Sequence, residues 1–453
     1  MVRTLALTAA ISVAAAARPV TWADLPAPVH AHLEAAGVSS AAFPDFLDRL
    51  ARTHAQRVRE GDLDHLIFYA LQSTHFTTLP SIEPALSAKA LVDSLDAVER
   101  EAFLKTSQAP PSRVPASVRS RLAALLRAVD ASDRDPRLAY FRGLINTTFP
   151  IRRQRDAALM REYLRVMRFV YEKEFVAARS ARGPEAVAEL YRARGLSTDT
   201  AVEAGYLVYL GLGVVKALEP THRVRRVLIV GPGLDLAPRT GLIEVGPPES
   251  YQPWAVIDAL LALGLSRADD LEVVAADINP RVVEHVRRSR TEPPTLNLVS
   301  EIGESETVSL TNEFRDYFAQ LGGAIGDEKA VPTNGHLRKT VHVRPAAARA
   351  LRAEALDVVT ERLDEAPFDL VIATNILPYF DDMELMLAMS NVAAMLAPGG
   401  VFLHNEARPL MQGVTAALAL PFEQSRQAII ATVRGAAAPL GDSVWLHRKT
   451  QSR

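Results

Sequence analysis

From Tyr206 onward the chain alternates short apolar runs with amphipathic stretches, and this alternation restricts the fold more than any other feature. The runs Arg226–Val230, Leu271–Ala276, Thr340–Val343, Phe368–Ala373 and Val401–Asn405 have the length of buried strands. Around and between them, Tyr206–Leu218, Pro253–Leu263, Pro280–Arg288, Ala350–Leu363 and Met383–Leu396 place apolar residues at helical spacing. Parallel neighbours need a crossover, and a helix supplies it, so the pattern predicts a mostly parallel sheet covered on both faces. Near the end, Gln427–Val433 and Ser443–Arg448 flank a short Gly/Ala/Pro turn and predict an antiparallel hairpin. The expected fold class is therefore α/β, with a seven-stranded, mostly parallel sheet closed by that hairpin.

The chain has 453 residues, too many for one ordinary core. Between Pro26 and about Arg194 the pattern is helical: Ala42–Glu60, Pro84–Leu104, Pro115–Val129 and Gln154–Ala178 are broken only by proline or glycine. Residues 21–200 are thus expected to form an all-helical N-terminal domain, and residues 201–453 the α/β domain. The start, residues 1–20, has a short basic beginning, an apolar stretch Thr4–Ala17 and then Arg18-Pro19, like a secretory leader. The alternative is an alanine-rich first helix. A cytoplasmic protein is expected, or an exported one if that leader is cleaved. The apolar stretch is too short to span a bilayer, and Glu203 and Lys216 interrupt the other candidate. With a net charge of −2 and no lysine-rich tract, nothing points to nucleic acid. The absence of cysteine excludes disulfides, thiolate metal sites and a cysteine nucleophile. Asp64-His65 and Thr74-His75 read as surface or satisfied core residues rather than ligands, and no metal site is expected.

The chemistry is expected at Val227–Ala237, VLIVGPGLDLA, where a buried strand runs into two glycines flanking a proline. Gly231 and Gly233 allow a tight bend and a close approach of backbone to ligand. A second buried strand ends in an acid, Asp277, placed where a carboxylate accepts both hydroxyls of a ribose. A dinucleotide is disfavoured: Leu236 stands where the third glycine of its fingerprint belongs. Asp277 also follows Gly231 by roughly 46 residues, against about 20 in that fingerprint. A nucleoside without phosphates fits these residues better.

Val227–Gly233, Val273–Asn279, Phe368–Asn375 and Leu396–Leu403 stand in an order that resembles class I S-adenosylmethionine-dependent methyltransferases, over roughly Tyr206 to Lys449. That resemblance implies a Rossmann-like sheet and S-adenosylmethionine as cofactor. It further implies that Gly231, Pro232, Gly233 and Asp235 line the methionine end, that Asp277 holds the ribose and that Ile278 packs on the adenine. Asn375 and Ile376 would face the amino-acid portion or the reacting centre. The sequence departs from the family at the Pro/Gly-rich loop between Asp235 and Tyr251, where Arg239, Glu244 and Tyr251 are candidate contacts and Ser250 a helix cap. A second departure is the stretch Thr291–Leu337. This extension, Tyr379-Phe380 after the fourth strand and the helical N-terminal part are also similar to chemotaxis-receptor glutamate methyltransferases. No adenine-reading acid is visible after the expected third strand, where His342-Val-Arg-Pro stands.

Methyl transfer from a sulfonium is an in-line displacement for which the protein supplies alignment and a dry pocket. Hydroxyl and amine acceptors need a proton removed, and His404, Tyr379 and Glu406 are the candidate groups. The acceptor, a small molecule or a protein side chain, is not marked by any motif. A non-catalytic nucleoside-binding protein of the same fold and an aminopropyl transferase are the alternatives.

Overall fold

The structure, a computed structural model, describes residues 17–131, 135–180 and 182–451. The expected leader lies outside them except for its last residues. Ala17–Pro19 form a short strand antiparallel to Glu361–Leu363, with Ala17 opposite Leu363.

The main sheet has eight strands: β1 Arg226–Val230, β2 Glu272–Asp277, β3 Val308–Leu310, β4 Leu351–Ala355, β5 Phe368–Ala373, β6 Leu396–His404, β7 Phe422–Val433 and β8 Leu440–Arg448. Their spatial order is β3-β7-β8-β6-β5-β1-β2-β4. The pairs β4/β2, β2/β1, β1/β5 and β5/β6 are parallel, whereas β6/β8, β8/β7 and β7/β3 are antiparallel. The expected hairpin is present as β7 and β8. The expected seven strands become eight because β3, from the long stretch after the second strand, pairs with β7 and extends the sheet.

The third parallel strand differs from expectation. Arg338–Val343 lies in a separate antiparallel sheet between Thr295–Val299 and Gly326–Ala330. The place beside β2 is taken by β4, within a stretch whose composition predicts a helix (Ala350–Leu363). Leu351, Arg352, Ala353 and Glu354 are good helix formers, but their alternation buries Leu351 and Ala353 while Arg352 reaches Glu272 at 3.1 Å. Pairing with β2 outweighs a propensity preference of a few tenths of a kcal/mol per residue.

Strand alternation divides the core between two faces. Val227, Ile229, Val273, Ala275, Leu370 and Ile372 belong to one apolar cluster. Leu228, Val230, Val274, Ala276, Val371 and Ala373 belong to the other. Among the described residues before β1, the elements between Trp22 and Ala193, and Val202–Leu218 after them, are helices, and they reach both clusters. Val20–Leu47 contribute to the second, and Leu63–Val170 to the first. One helix, Phe43–Gln72, joins them. Its 30 residues extend about 45 Å, with Phe43 and Leu47 in one cluster and Leu66 and Ile67 in the other. Its middle is polar and yet buried, at His54, Arg57, Asp62, Asp64 and His65. At Gly61 this helix meets the segment before β1 so closely that a Cβ would fall 1.8 Å from the carbonyl oxygen of Leu196.

Caps fix the helices that flank the sheet. Asn279 accepts from the Arg281 N–H at 3.0 Å and starts Pro280–Thr291. Asp381 and Glu384 form a capping box on Asp382–Met395. Ser250 occupies the cap position of Tyr251–Ala262, but its hydroxyl makes no cap bond. Among the described residues, no helix is long and apolar enough to cross a membrane.

Candidate functional site

The carboxyl ends of β1, β2, β4 and β5 open into a cavity holding about 850 Å³ of space between atoms. Its base is the bend after β1. Gly231 and Gly233 have φ of +70° and +72°, and the Gly231 N–H donates to the carbonyl of Ala276 at 2.8 Å. A Cβ at Gly231 would fall 2.4 Å from Ile376 Cγ2, and one at Gly233 2.5 Å from the Thr198 carbonyl oxygen. Both the conformation and the space therefore require glycine.

Asp277 ends β2 beside this bend. Its Oδ1 accepts from the Asn279 N–H at 2.8 Å, and its Oδ2 lies 3.4 Å from the Gly233 N–H. Burial pushes its carboxyl up to about 6, opposed by those backbone donors. Asp357 follows β4 and takes the corresponding place one strand further out. Its Oδ2 is 2.7 Å from His54 Nδ1, while His54 Nε2 is 2.9 Å from Glu384 Oε1. Burial opposes charging of His54, but with a carboxylate on each ring nitrogen its pKa is pushed up to about 9. The ring is thus an imidazolium that binds the long helix to the strand ends.

On the other side, Asn375 adopts φ +61° after β5 and is held by Asn405: its N–H donates to Asn405 Oδ1 at 2.9 Å, and Asn405 Nδ2 donates to its Oδ1 at 2.6 Å. Gln252 Nε2 donates to Thr374 Oγ1 at 2.6 Å beneath. The segment Leu196–Thr200 closes the wall, pinned where the Leu234 N–H donates to the carbonyl of Thr198. Across this wall lies a wider cavity, and the two share Ser197, Asp199, Asn375 and Tyr379. The cavity lining includes Asp199, Asp277 and Asp357 and no lysine or arginine.

Of the residues expected from sequence, Gly231, Gly233, Asp277, Ile278, Asn375, Ile376 and Tyr379 line this one cavity. Pro232 and Asp235 do not. Asp235 is fully buried, with Arg239 Nη2 3.1 Å from its Oδ2 and Arg137 Nη1 2.6 Å from its carbonyl oxygen. Burial pushes its carboxyl up to about 6. Arg137 also donates to the carbonyls of Ile243 and Pro247, so that it anchors the loop that departs from the family pattern. In that loop Glu244 accepts from the Thr74 N–H at 3.2 Å, and beyond it Tyr251 donates to the Asn297 carbonyl at 3.1 Å.

His404 and Glu406 are likewise outside the cavity. Strand alternation puts the His404 ring on the same face as Phe402, stacked between Phe402 at 4.9 Å and His447 at 5.0 Å. Its Nδ1 accepts from the Glu406 N–H at 3.1 Å, and burial holds its pKa well below the ordinary value. Glu406 accepts from the Arg408 N–H at 2.8 Å and pairs with its guanidinium at 3.1 Å. Burial pushes the Tyr379 phenol up to about 12.

Sequence reasoning missed His54, Asp199 and Asp357. An acid directly after a strand was the available signal for Asp357, hidden when 350–363 is read as helix. His54 and Asp199 lie in segments without strand periodicity and had no comparable signal. Among the described residues, no group of three or more acids and histidines is arranged to hold a metal ion.

No family model matches the chain, and no curated protein does. Among solved structures, it is similar over 94% of its length to all of the CurJ carbon methyltransferase, at 14% identity and a TM-score of 0.32. Over 54% of its length it is similar to 87% of the N-methyltransferase NodS of Bradyrhizobium japonicum WM9 in complex with S-adenosyl-L-homocysteine, at 14% identity and a TM-score of 0.28. Over 55% it is similar to 81% of magnesium protoporphyrin IX methyltransferase from Synechocystis PCC 6803 with bound S-adenosylmethionine, at 7% identity and a TM-score of 0.28.

Proposed function

We propose that the cavity binds S-adenosylmethionine and that the protein is a methyltransferase. The observation that carries this reading is the charge of the lining: three carboxylates against the one imidazolium of His54, with no lysine or arginine among the described residues, around a left-handed glycine bend. Phosphorylated ligands need cationic or dipolar partners, and three carboxylates against one imidazolium disfavour them. A nucleoside bearing a sulfonium and an ammonium has the complementary charge. Asp277 would accept the ribose hydroxyls, and Asp357 with Ile278 and Leu356 would face the base. The Gly231–Gly233 bend with Asn375 would border the amino-acid portion. When bound, the group supplies an electrophilic methyl carbon. The chain's residues align it, exclude water through the roof formed by the long helix, and leave the wall at Asp199 and Tyr379 for an acceptor, by O- or N-transfer.

Calorimetric titration with S-adenosylhomocysteine and with NAD tests this reading. Saturable binding of the first, lost in Asp277→Ala, is the expected result. Saturable binding of NAD alone would overturn it.

A further inference from the structure

The wider cavity beyond Ser197, Asp199, Asn375 and Tyr379 has an aromatic side formed by Phe68, Phe169, Tyr191 and Tyr379. Its cations are already engaged. Arg194 pairs with Asp64 at 2.7 Å, Arg239 with Asp235 at 3.1 Å and Glu301 at 3.3 Å, and Lys173 with Glu174 at 3.1 Å. Glu83, also on the wall, has no salt bridge among the described residues.

Asp199 stands at the junction of the two cavities. Its Oδ1 is buried without a hydrogen-bond partner, and its Oδ2 lies 3.2 Å from Nδ1 of the fully buried His65. The carboxylate beside it favours a protonated ring. Burial opposes charging of His65, but Asp199, Asp62 and Asp64 raise its pKa above the ordinary value, and the Thr198 N–H approaches its Nε2 at 3.1 Å. Burial alone would raise the Asp199 carboxyl, but the charge of His65 with those of Arg239 and Arg194 holds it below the usual carboxylate range. A buried carboxylate oxygen without a donor is a place for a donor or a developing cation.

Resting on the methyl-transfer reading above, we propose that this second cavity receives an amine joined to a ring, and that Asp199 is the fixed counter-charge for its nitrogen. Carboxylate and phenolate nucleophiles would bring a second negative charge against Asp199, which disfavours them. An amine does the reverse: it pairs with Asp199 as its ammonium and gives one proton to water before it reacts. Its lone pair forms the N–C bond as the C–S bond breaks and leaves its electron pair on sulfur. The positive charge passes from sulfur to nitrogen beside Asp199, and the new ammonium then gives up a proton to water.

The test uses full-length protein saturated with S-adenosylhomocysteine and titrated calorimetrically with phenethylamine and tryptamine, against 3-phenylpropionate and indole-3-propionate. The amines are expected to bind at least about tenfold more tightly than the acids, a difference of about 1.4 kcal/mol. Asp199→Asn should erase that preference, with urea denaturation of the variant reporting on its folding. Mass spectrometry should find methyl transfer to the amines from S-adenosylmethionine. Equal or tighter binding of the acids, no binding of the amines, or an amine preference that a folded Asp199→Asn retains overturns the inference; the first two need no variant. If the wild-type protein does not bind S-adenosylhomocysteine at all, the methyl-transfer reading itself fails, and the inference with it.

Discussion

The end of β1 and the middle of the long helix Phe43–Gln72 border the same cavity but are built in opposite ways. At β1 a run of apolar residues stops at two glycines, and what matters is the absence of side chains. In the helix a run of charged and polar residues is buried, and what matters is that each finds a partner. Asp62 accepts from Tyr140 at 2.8 Å and Asn279 at 3.0 Å and pairs with Arg281, while Arg57 donates to the carbonyls of Arg194 and Tyr379 at 3.0 and 2.9 Å. The first device depends on space, which tolerates no substitution. The second depends on pairing, which is costly to break but open to conservative exchange.

The largest effect should come from adding bulk to the bend. Gly231→Val is expected to abolish S-adenosylhomocysteine binding by calorimetry and to lower stability by roughly 1–3 kcal/mol from the left-handed backbone alone, read by urea denaturation. A variant that still bound would remove space as the controlling factor. Next comes Asp277→Ala, expected to weaken that binding about 100-fold, or about 2.7 kcal/mol, while the protein stays folded. Because burial pushes the Asp277 carboxyl up to about 6, wild-type affinity should fall as pH drops through 6 and level off above it.

On the helix side, His54→Gln is expected to cost roughly 2–4 kcal/mol of stability at neutral pH by leaving Asp357 and Glu384 without their shared cation. With its pKa raised to about 9, His54 contributes fully below about 6.5, the free value. That contribution is lost as pH rises through 9. Urea midpoints should show the wild type losing stability over this window and the variant not; parallel curves would sink the pairing account. The smallest effect belongs to Ser250→Ala, neutral to stabilising by up to about 1 kcal/mol in the same assay, because the buried hydroxyl makes no cap bond and has no partner.

The same contrast governs what could be read in advance. Strands β1, β2 and β5 are buried and carry β-branched residues, so length and composition agree, and Gly231, Gly233 and Asp277 follow from their ends. The edge strand β4 is written in helix formers, and its position comes only from the neighbour it pairs with. Asp357 was lost along with it. His404 shows the reverse error: a strand-end residue assigned to the pocket, although it shares a face with Phe402. His54, His65 and Asp199 are ordinary polar residues in sequence, and only packing across hundreds of positions gives them partners.

The 45 Å rod from Phe43 to Gln72 rests on both sides of the sheet and passes over the mouth between them. A beam seated on two walls cannot be lifted at one end without disturbing the other. The two apolar layers are thereby coupled, and they should come apart in one cooperative event rather than layer by layer.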